Sequence, residues 1–300
     1  GRGVWLRGTA GAGGTATPLP PNEILVQVDP EGRPLVNVSV GGGPTASVLF
    51  DTGSTGLLLT PQDVDVAKLG PVTGPPGHVD YEINSDSFKT VYYNTYTAPV
   101  DLGNGIVTAP ITVAVATSAT ETINGGTPTP LSLDSFPSVM GVGPNDGHPF
   151  SDPVTAALPG TLSQGELINE PAGVVEFGPN PLTPVASLPG APHTADLQVQ
   201  LGTGPLQTVS DTMVDSGGKT GSIPASLVPG FAQGTTLPAG TTFTVYTSTG
   251  HELYTETVTA PYTPVVASNG NPFNTGNYPF TLGPIYISNS PAGGETIFDF

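Results

Sequence analysis

Two aspartates stand in matching surroundings in this chain, Asp51 in "SVLFDTGSTGLLLT" and Asp215 in "TVSDTMVDSGGKTGSIP". Each follows apolar residues, Val48, Leu49 and Phe50 in the first case and Met213 and Val214 in the second. Each is followed by a hydroxyl residue and a glycine, Thr52 and Gly53 or Ser216 and Gly217. An ionised carboxylate in apolar surroundings costs several kcal/mol unless it is paired. Each aspartate could be the other's partner, because two carboxylates about 3 Å apart share one proton and titrate as a unit. The ionised member is then a general base for a water, and the protonated member donates to a carbonyl oxygen. That is chemistry for adding water across an amide through a tetrahedral diol, with no covalent intermediate. The two glycines allow backbone N–H groups to approach the carboxylates, since no Cβ intervenes.

A single Asp-Ser/Thr-Gly triplet carries little weight in a chain rich in Gly and Thr, and its repetition in context carries more. Each copy is followed later by an apolar stretch ending in glycine. The first is "FPSVMGVG", with Val139 and Met140 before Gly141, and the second is "PFTLGPI", with Leu282 before Gly283. These matches read as an internal duplication with one aspartate in each half.

The elements that must position the pair are strands. "EILVQV", "PLVNVSV", "IVTAPITVAVAT", "AGVVEFG", "ADLQVQL", "TTFTVYT" and "ETIFDF" are short, β-branched or alternating, and bounded by turn residues. Only "PQDVDVAKLG" and "SDPVTAAL" suggest helix, and both are short. An all-β protein is expected. The 300 residues suffice for two lobes with substantial cores, and the 41 glycines and 35 prolines imply many turns.

Composition excludes several functions. A formal charge of −18 with six basic residues argues against nucleic-acid or anionic-membrane partners. With no cysteine there are no disulfides, thiolate metal sites or cysteine nucleophiles. His78, His148, His193 and His251 are scattered without metal spacing and are expected to be surface residues. No apolar stretch reaches the roughly 18 residues of a membrane span, and no signal-peptide pattern opens the sequence, so an excised soluble piece is expected. Residues 1–21 read as a Gly/Pro-rich tail or linker containing Trp5, 22–150 as an N-terminal lobe, 151–180 as a connection and 181–300 as a C-terminal lobe.

With "AGVVEFGPN" and "ETIFDF" added to the two motifs, residues 22 to 300 resemble a pepsin-like (A1-type) aspartic protease. The glycine-rich head is similar to that of mycobacterial PE-PGRS surface proteins. The resemblance implies a bilobal fold of two pseudo-twofold-related β lobes around a cleft, with Asp51 and Asp215 catalytic. It implies an aspartic endopeptidase that needs no cofactor or metal. The chain is expected to be a monomer favouring acid, secreted or at the surface of a bacterial cell envelope, and to cleave itself or co-secreted proteins. Thr52 and Ser216 match residues that reach across the pseudo-twofold axis to the opposite lobe's backbone. A catalytically inactive binding module and a surface adhesin are the alternatives.

Three departures from the family pattern matter. Members commonly carry a hydroxyl three residues after each catalytic aspartate. Ser54 supplies it for Asp51, whereas Gly218 follows Asp215. The expectation is that Asp51 holds the dyad's negative charge and Asp215 its proton. Lys219, four residues beyond Asp215, is expected near the cleft wall, where it would favour acidic substrate side chains. The family's Tyr-Gly flap sequence is absent, as is the tryptophan that often braces it. The best hairpin is "VDYEINSDSFKTVYY", with a turn through Ser85 and with Tyr81 and Tyr92 as candidate flap tyrosines. Arg2 or Arg7 could pair with the dyad in a zymogen-like state.

Overall fold

A computed structural model describes residues 17–84 and 86–300. Trp5, Arg2, Arg7 and most of the expected tail lie outside the described residues, as does Ser85.

The first half of the chain builds one large sheet around the strand that ends in Asp51. Pro34–Val40 alternates buried and half-buried positions, with Val36, Val38 and Val40 facing inward. It pairs antiparallel with Thr45–Asp51, Val36 opposite Val48. Every residue of the next strand, Thr55–Leu59, is buried, because it is flanked on both sides. Ile111–Thr122 runs parallel to it on one side. On the other, Val139–Val142 threads between the two arms of the Asp51 turn, parallel to Thr45–Asp51 and antiparallel to Thr55–Leu59, and so places Gly141 opposite both Asp51 and Gly56. Only glycine fits at position 141, since a methyl group there would stand 2.6 Å from the Ser54 and Thr55 backbone. A long hairpin, Gly77–Asn84 with Ser87–Ala98, completes the sheet, and Gly77–Asn84 is its outer edge.

A six-stranded sheet joins the halves. Its order is Glu23–Leu25, Val174–Phe177, Gly165–Asn169, Ile285–Ser288, Glu295–Phe298 and Ala186–Pro189, so strands from near both ends of the described chain meet in it. The second half adds a four-stranded antiparallel sheet, Leu206–Val209, Leu197–Leu201, Thr242–Thr247 and Glu252–Thr257. A second small sheet carries Asp215. Thr212–Met213 runs parallel to Phe273–Asn274, which also pairs with Ser222–Pro224.

That small sheet corrects one expectation. The strand that passes between the arms of the Asp215 turn is Phe273–Asn274, not "PFTLGPI". Tyr278–Leu282 is a short α-helix with proline in its first turn, where its fixed φ suits a helix and no N–H is needed. Apolar character alone did not separate the two, because a buried helix and a buried strand of five residues look alike. The other short helix candidates are 3₁₀ turns, Pro61–Asp63, Val66–Lys68 and Val154–Ala157.

One apolar core runs through both halves, including Val48, Phe50, Ile168, Val214, Phe273 and Phe280. Each such large side chain contributes about 1.5–3 kcal/mol on burial. Among the described residues no helix is long and apolar enough to cross a membrane.

Candidate active site

Asp51 closes the strand Thr45–Asp51, and Asp215 follows Thr212–Met213 and caps the 3₁₀ turn Ser216–Gly218. The two turns are locked together by reciprocal hydrogen bonds. The Thr52 N–H donates to Ser216 Oγ (3.0 Å), while Thr52 Oγ1 donates to the Val214 carbonyl (2.9 Å). Conversely, the Ser216 N–H donates to Thr52 Oγ1 (2.9 Å) and Ser216 Oγ to the Phe50 carbonyl (2.7 Å). Both hydroxyl residues are fully buried. This crossing brings each carboxylate against the glycine of the other motif. A methyl group on Gly53 would overlap the Asp215 carboxylate, and one on Gly217 would overlap Asp51.

Each aspartate also receives donors from its own side. Gly53 N–H donates to Asp51 Oδ1 at 2.8 Å and Ser54 Oγ to Asp51 Oδ2 at 2.6 Å. Gly217 N–H donates to Asp215 Oδ1 at 3.0 Å. The outer oxygen of Asp215 is not left bare by Gly218, because Asn274 Nδ2 donates to Oδ2 at 2.8 Å. Sequence reasoning missed Asn274, which lies in the two-residue strand that the apolar pattern did not reveal. The premise that Asp215 lacks an outer donor is therefore corrected. Its carboxyl is nonetheless held well above the usual range, first by burial and then by the Asp51 charge and hydrogen bond, with Asn274 and Gly217 opposing.

The pair sits in a cleft of about 920 Å³ lined from both halves of the chain. Leu49, Leu58, Val79, Val91, Phe136 and Val139 make its wall apolar on one side. Tyr81 lines the cleft with its ring 6.4 Å from that of Phe136, and its phenol is raised by burial in the cleft and by the Asp51 charge. Tyr81 is 38% solvent-accessible. Tyr92 is not brought to the cleft. It lies opposite His78 in the hairpin and contacts that ring at 6.0 Å, while its neighbour Val91 points into the buried cluster. Strand alternation sends the two tyrosines to different faces.

Lys219 lines the cleft from the C-cap of the Asp215 turn, with φ 52 and ψ −99. The histidines are less dispersed than their spacing suggested. His78, His148 and His193 all line the cleft, and His193 lies 3.8 Å from Asp146 and 3.7 Å from Asp211. His148 and His193 still expose 71% and 51% of their side chains, and among the described residues no cluster of ligands suits a metal ion.

With this geometry described, comparison with known proteins is informative. The model of the PE-PGRS C-terminal aspartyl peptidase-like domain matches residues 22–297. The chain belongs to this family. Two Mycobacterium tuberculosis proteins named PE cleavage protein A, from strains CDC 1551 and H37Rv, are each 40% identical to it over 316 residues, which cover 97% of this chain and 53% of theirs. The Mycobacterium marinum protein of the same name is 39% identical over 288 residues, covering 89% of this chain and 50% of its own. The chain thus spans about half the length of the curated relatives it matches. Among solved structures, the aspartic proteinase from Irpex lacteus superposes with a TM-score of 0.58 at 15% identity, over 92% of this chain and 96% of that one. At that identity the likeness concerns the fold, which is the bilobal, mostly β pepsin-like architecture.

Proposed function

We propose that this aspartyl peptidase-like domain is an active endopeptidase that hydrolyses extended polypeptides with a water activated between Asp51 and Asp215. The observation that carries the reading is the reciprocal Thr52–Ser216 hydrogen bonding, which holds a buried carboxylate, Asp215, against a half-buried one, Asp51, from opposite halves of the chain. Asp51, with Gly53 and Ser54 donating to it, is the general base. Asp215 holds the proton and gives it to the carbonyl oxygen as the tetrahedral diol forms. The proton taken from water then passes to the leaving nitrogen as the diol collapses.

Residues 22–150 and 181–300 act as the two lobes, joined through 151–180. The edge strand Gly77–Asn84 offers unpaired backbone groups to an extended substrate, in the manner of strand addition. Tyr81 stands over the cleft as the flap tyrosine. The relatives' name, PE cleavage protein A, leads us to assign PE-type polypeptides as substrates, including longer forms of this protein itself, at the mycobacterial cell surface.

The test is cleavage of a peptide library from pH 3 to 8 by the native chain, Asp51→Asn and Asp215→Asn, with cut sites read by mass spectrometry. Cleavage by the native chain, lost in both variants and blocked by a pepstatin-like inhibitor, is the expected result. No cleavage by a folded native chain would instead favour a binding module.

A further inference from the structure

The two halves of the site solve one problem with different side chains. Asp51 Oδ2 receives a hydroxyl from Ser54 in its own turn, 2.6 Å away. Asp215 Oδ2 receives an amide from Asn274, 59 positions along the chain and 2.8 Å away. The amide cannot simply rotate, because its Oδ1 accepts the Gly276 N–H at 2.8 Å, which directs Nδ2 at the carboxylate. Nδ2 can only donate, whereas a serine hydroxyl can donate or accept.

The residue at 218 is bound up with this arrangement. A Cβ at Gly218 would stand 2.5 Å from Asn274 Oδ1, inside any van der Waals contact, and 3.0 Å from Asp215 Oδ2. A side chain at 218 and the amide of Asn274 therefore compete for the same space beside the same oxygen. We propose that Gly218 and Asn274 form an exchangeable pair, in which Asn274 is the positioning residue that gives Asp215 its outer donor and glycine at 218 makes room for it. The role assigned to Asp215 rests on the proposed hydrolysis; the hydrogen-bonding exchange does not.

A donor to the ionised form of Asp215 favours that form. The charged and titratable groups around it are Asp51 across the axis, Lys219 on the same turn, and Tyr81, Asp146 and His193 along the cleft wall. The Asn274 side chain is hydrogen-bonded to Asp215 and to the Gly276 N–H and to none of these groups, so a shift on its replacement by an uncharged residue reports the lost donor.

The experiment compares native chain, Asn274→Ala, Asn274→Leu, Gly218→Ser and the double variant Gly218→Ser/Asn274→Ala. Three readouts are used, the pH profile of kcat/KM, the melting temperature and the ¹³C titration of the Asp215 carboxyl, the last two of which need no substrate. Asn274→Ala is expected to lose about tenfold or more in kcat/KM and to move the upper titration of the dyad upward by about one pH unit. Asn274→Leu keeps the side-chain volume without a donor or a charge and is the variant to use if the alanine does not fold; it should move the titration the same way. Gly218→Ser alone should lower the melting temperature by displacing the tied amide, and the double variant should recover melting temperature, titration and rate together. An unchanged Asp215 titration in both Asn274 variants, or a double variant no better than the two singles combined, would overturn the proposal. A native chain that cleaves nothing, with the Asp215 titration of the variants shifted from it as described, would instead overturn the proposed hydrolysis and leave the pair standing.

Discussion

Thr52 and Ser216 each hold the other's backbone N–H, and each hydroxyl also donates to a carbonyl of the opposite turn, Val214 for Thr52 and Phe50 for Ser216. Four buried backbone groups that the tight turns leave unpaired are thereby satisfied by two side chains. The two halves of the chain are registered at the atoms that matter for acid–base chemistry.

Thr52→Ala should therefore leave the Val214 carbonyl and the Ser216 N–H unpaired in a buried site, at a cost of about 1–3 kcal/mol for each such group. Thr52→Ser, which keeps the hydroxyl, should cost far less. Denaturant unfolding of the two variants checks this, and equal losses would show that the methyl group rather than the hydroxyl matters.

Stability should fall as pH rises from acid toward neutrality. Burial raises Glu170 and Glu256 to about 8, and raises the fully buried Glu166 well above its usual range. Among the described residues, neither carboxylate oxygen of Glu256 has a hydrogen-bond partner. A carboxyl raised in the folded state gives stability that is complete below its unfolded pKa, near 4.5, and lost as pH rises through the folded value, near 8. Melting temperatures should therefore decline between about pH 4.5 and 8. Glu256→Gln should flatten that decline while changing little at pH 4. A profile that rises toward neutral pH would contradict the account.

Lys219 holds a backbone conformation that side chains rarely adopt, and it does so in the cleft. Such strain costs of order 1–3 kcal/mol and clusters at functional positions. Lys219→Gly should raise stability by about 1 kcal/mol. Lys219→Gln should lower kcat/KM about fivefold for peptides with acidic residues beside the cut, and little for neutral ones. Paired acidic and neutral substrates, followed by unfolding curves, separate the charge from the strain.

Tyr81 and Tyr92 should behave differently despite lying on the same hairpin. Tyr81→Ala should reduce kcat/KM by about tenfold or more, because the ring that covers the cleft beside Phe136 is lost. Tyr92→Ala, at a position that is not among those lining the cleft, should leave it within about twofold. Steady-state kinetics on one peptide at one pH suffices, and comparable losses would remove Tyr81 from its role.

The candidate aspartates, the hydroxyl and glycine that follow each, and the all-β class are legible in the order of residues alone. These signals are local: a carboxylate between apolar runs, a glycine where no Cβ fits, and period-two alternation as in Val36, Val38 and Val40. Gly141 was legible for the same reason, since the apolar run before it is a buried strand. The partners that arrive from far along the chain are set by packing. Asn274 comes to Asp215 on a strand of two residues, too short for any periodicity, and the apolar "PFTL" nearby turned out to be helix. The facing of Tyr81 and Tyr92 depends on the hairpin's pairing register, Tyr81 opposite Lys89 and Tyr92 opposite His78 with a register shift between Glu82 and Asn84, which composition does not encode. The convergence of His78, His148 and His193 on one cleft likewise depends on how the halves pack. Motifs fix which groups can do chemistry within a few residues, whereas packing across tens of residues fixes what each of those groups touches.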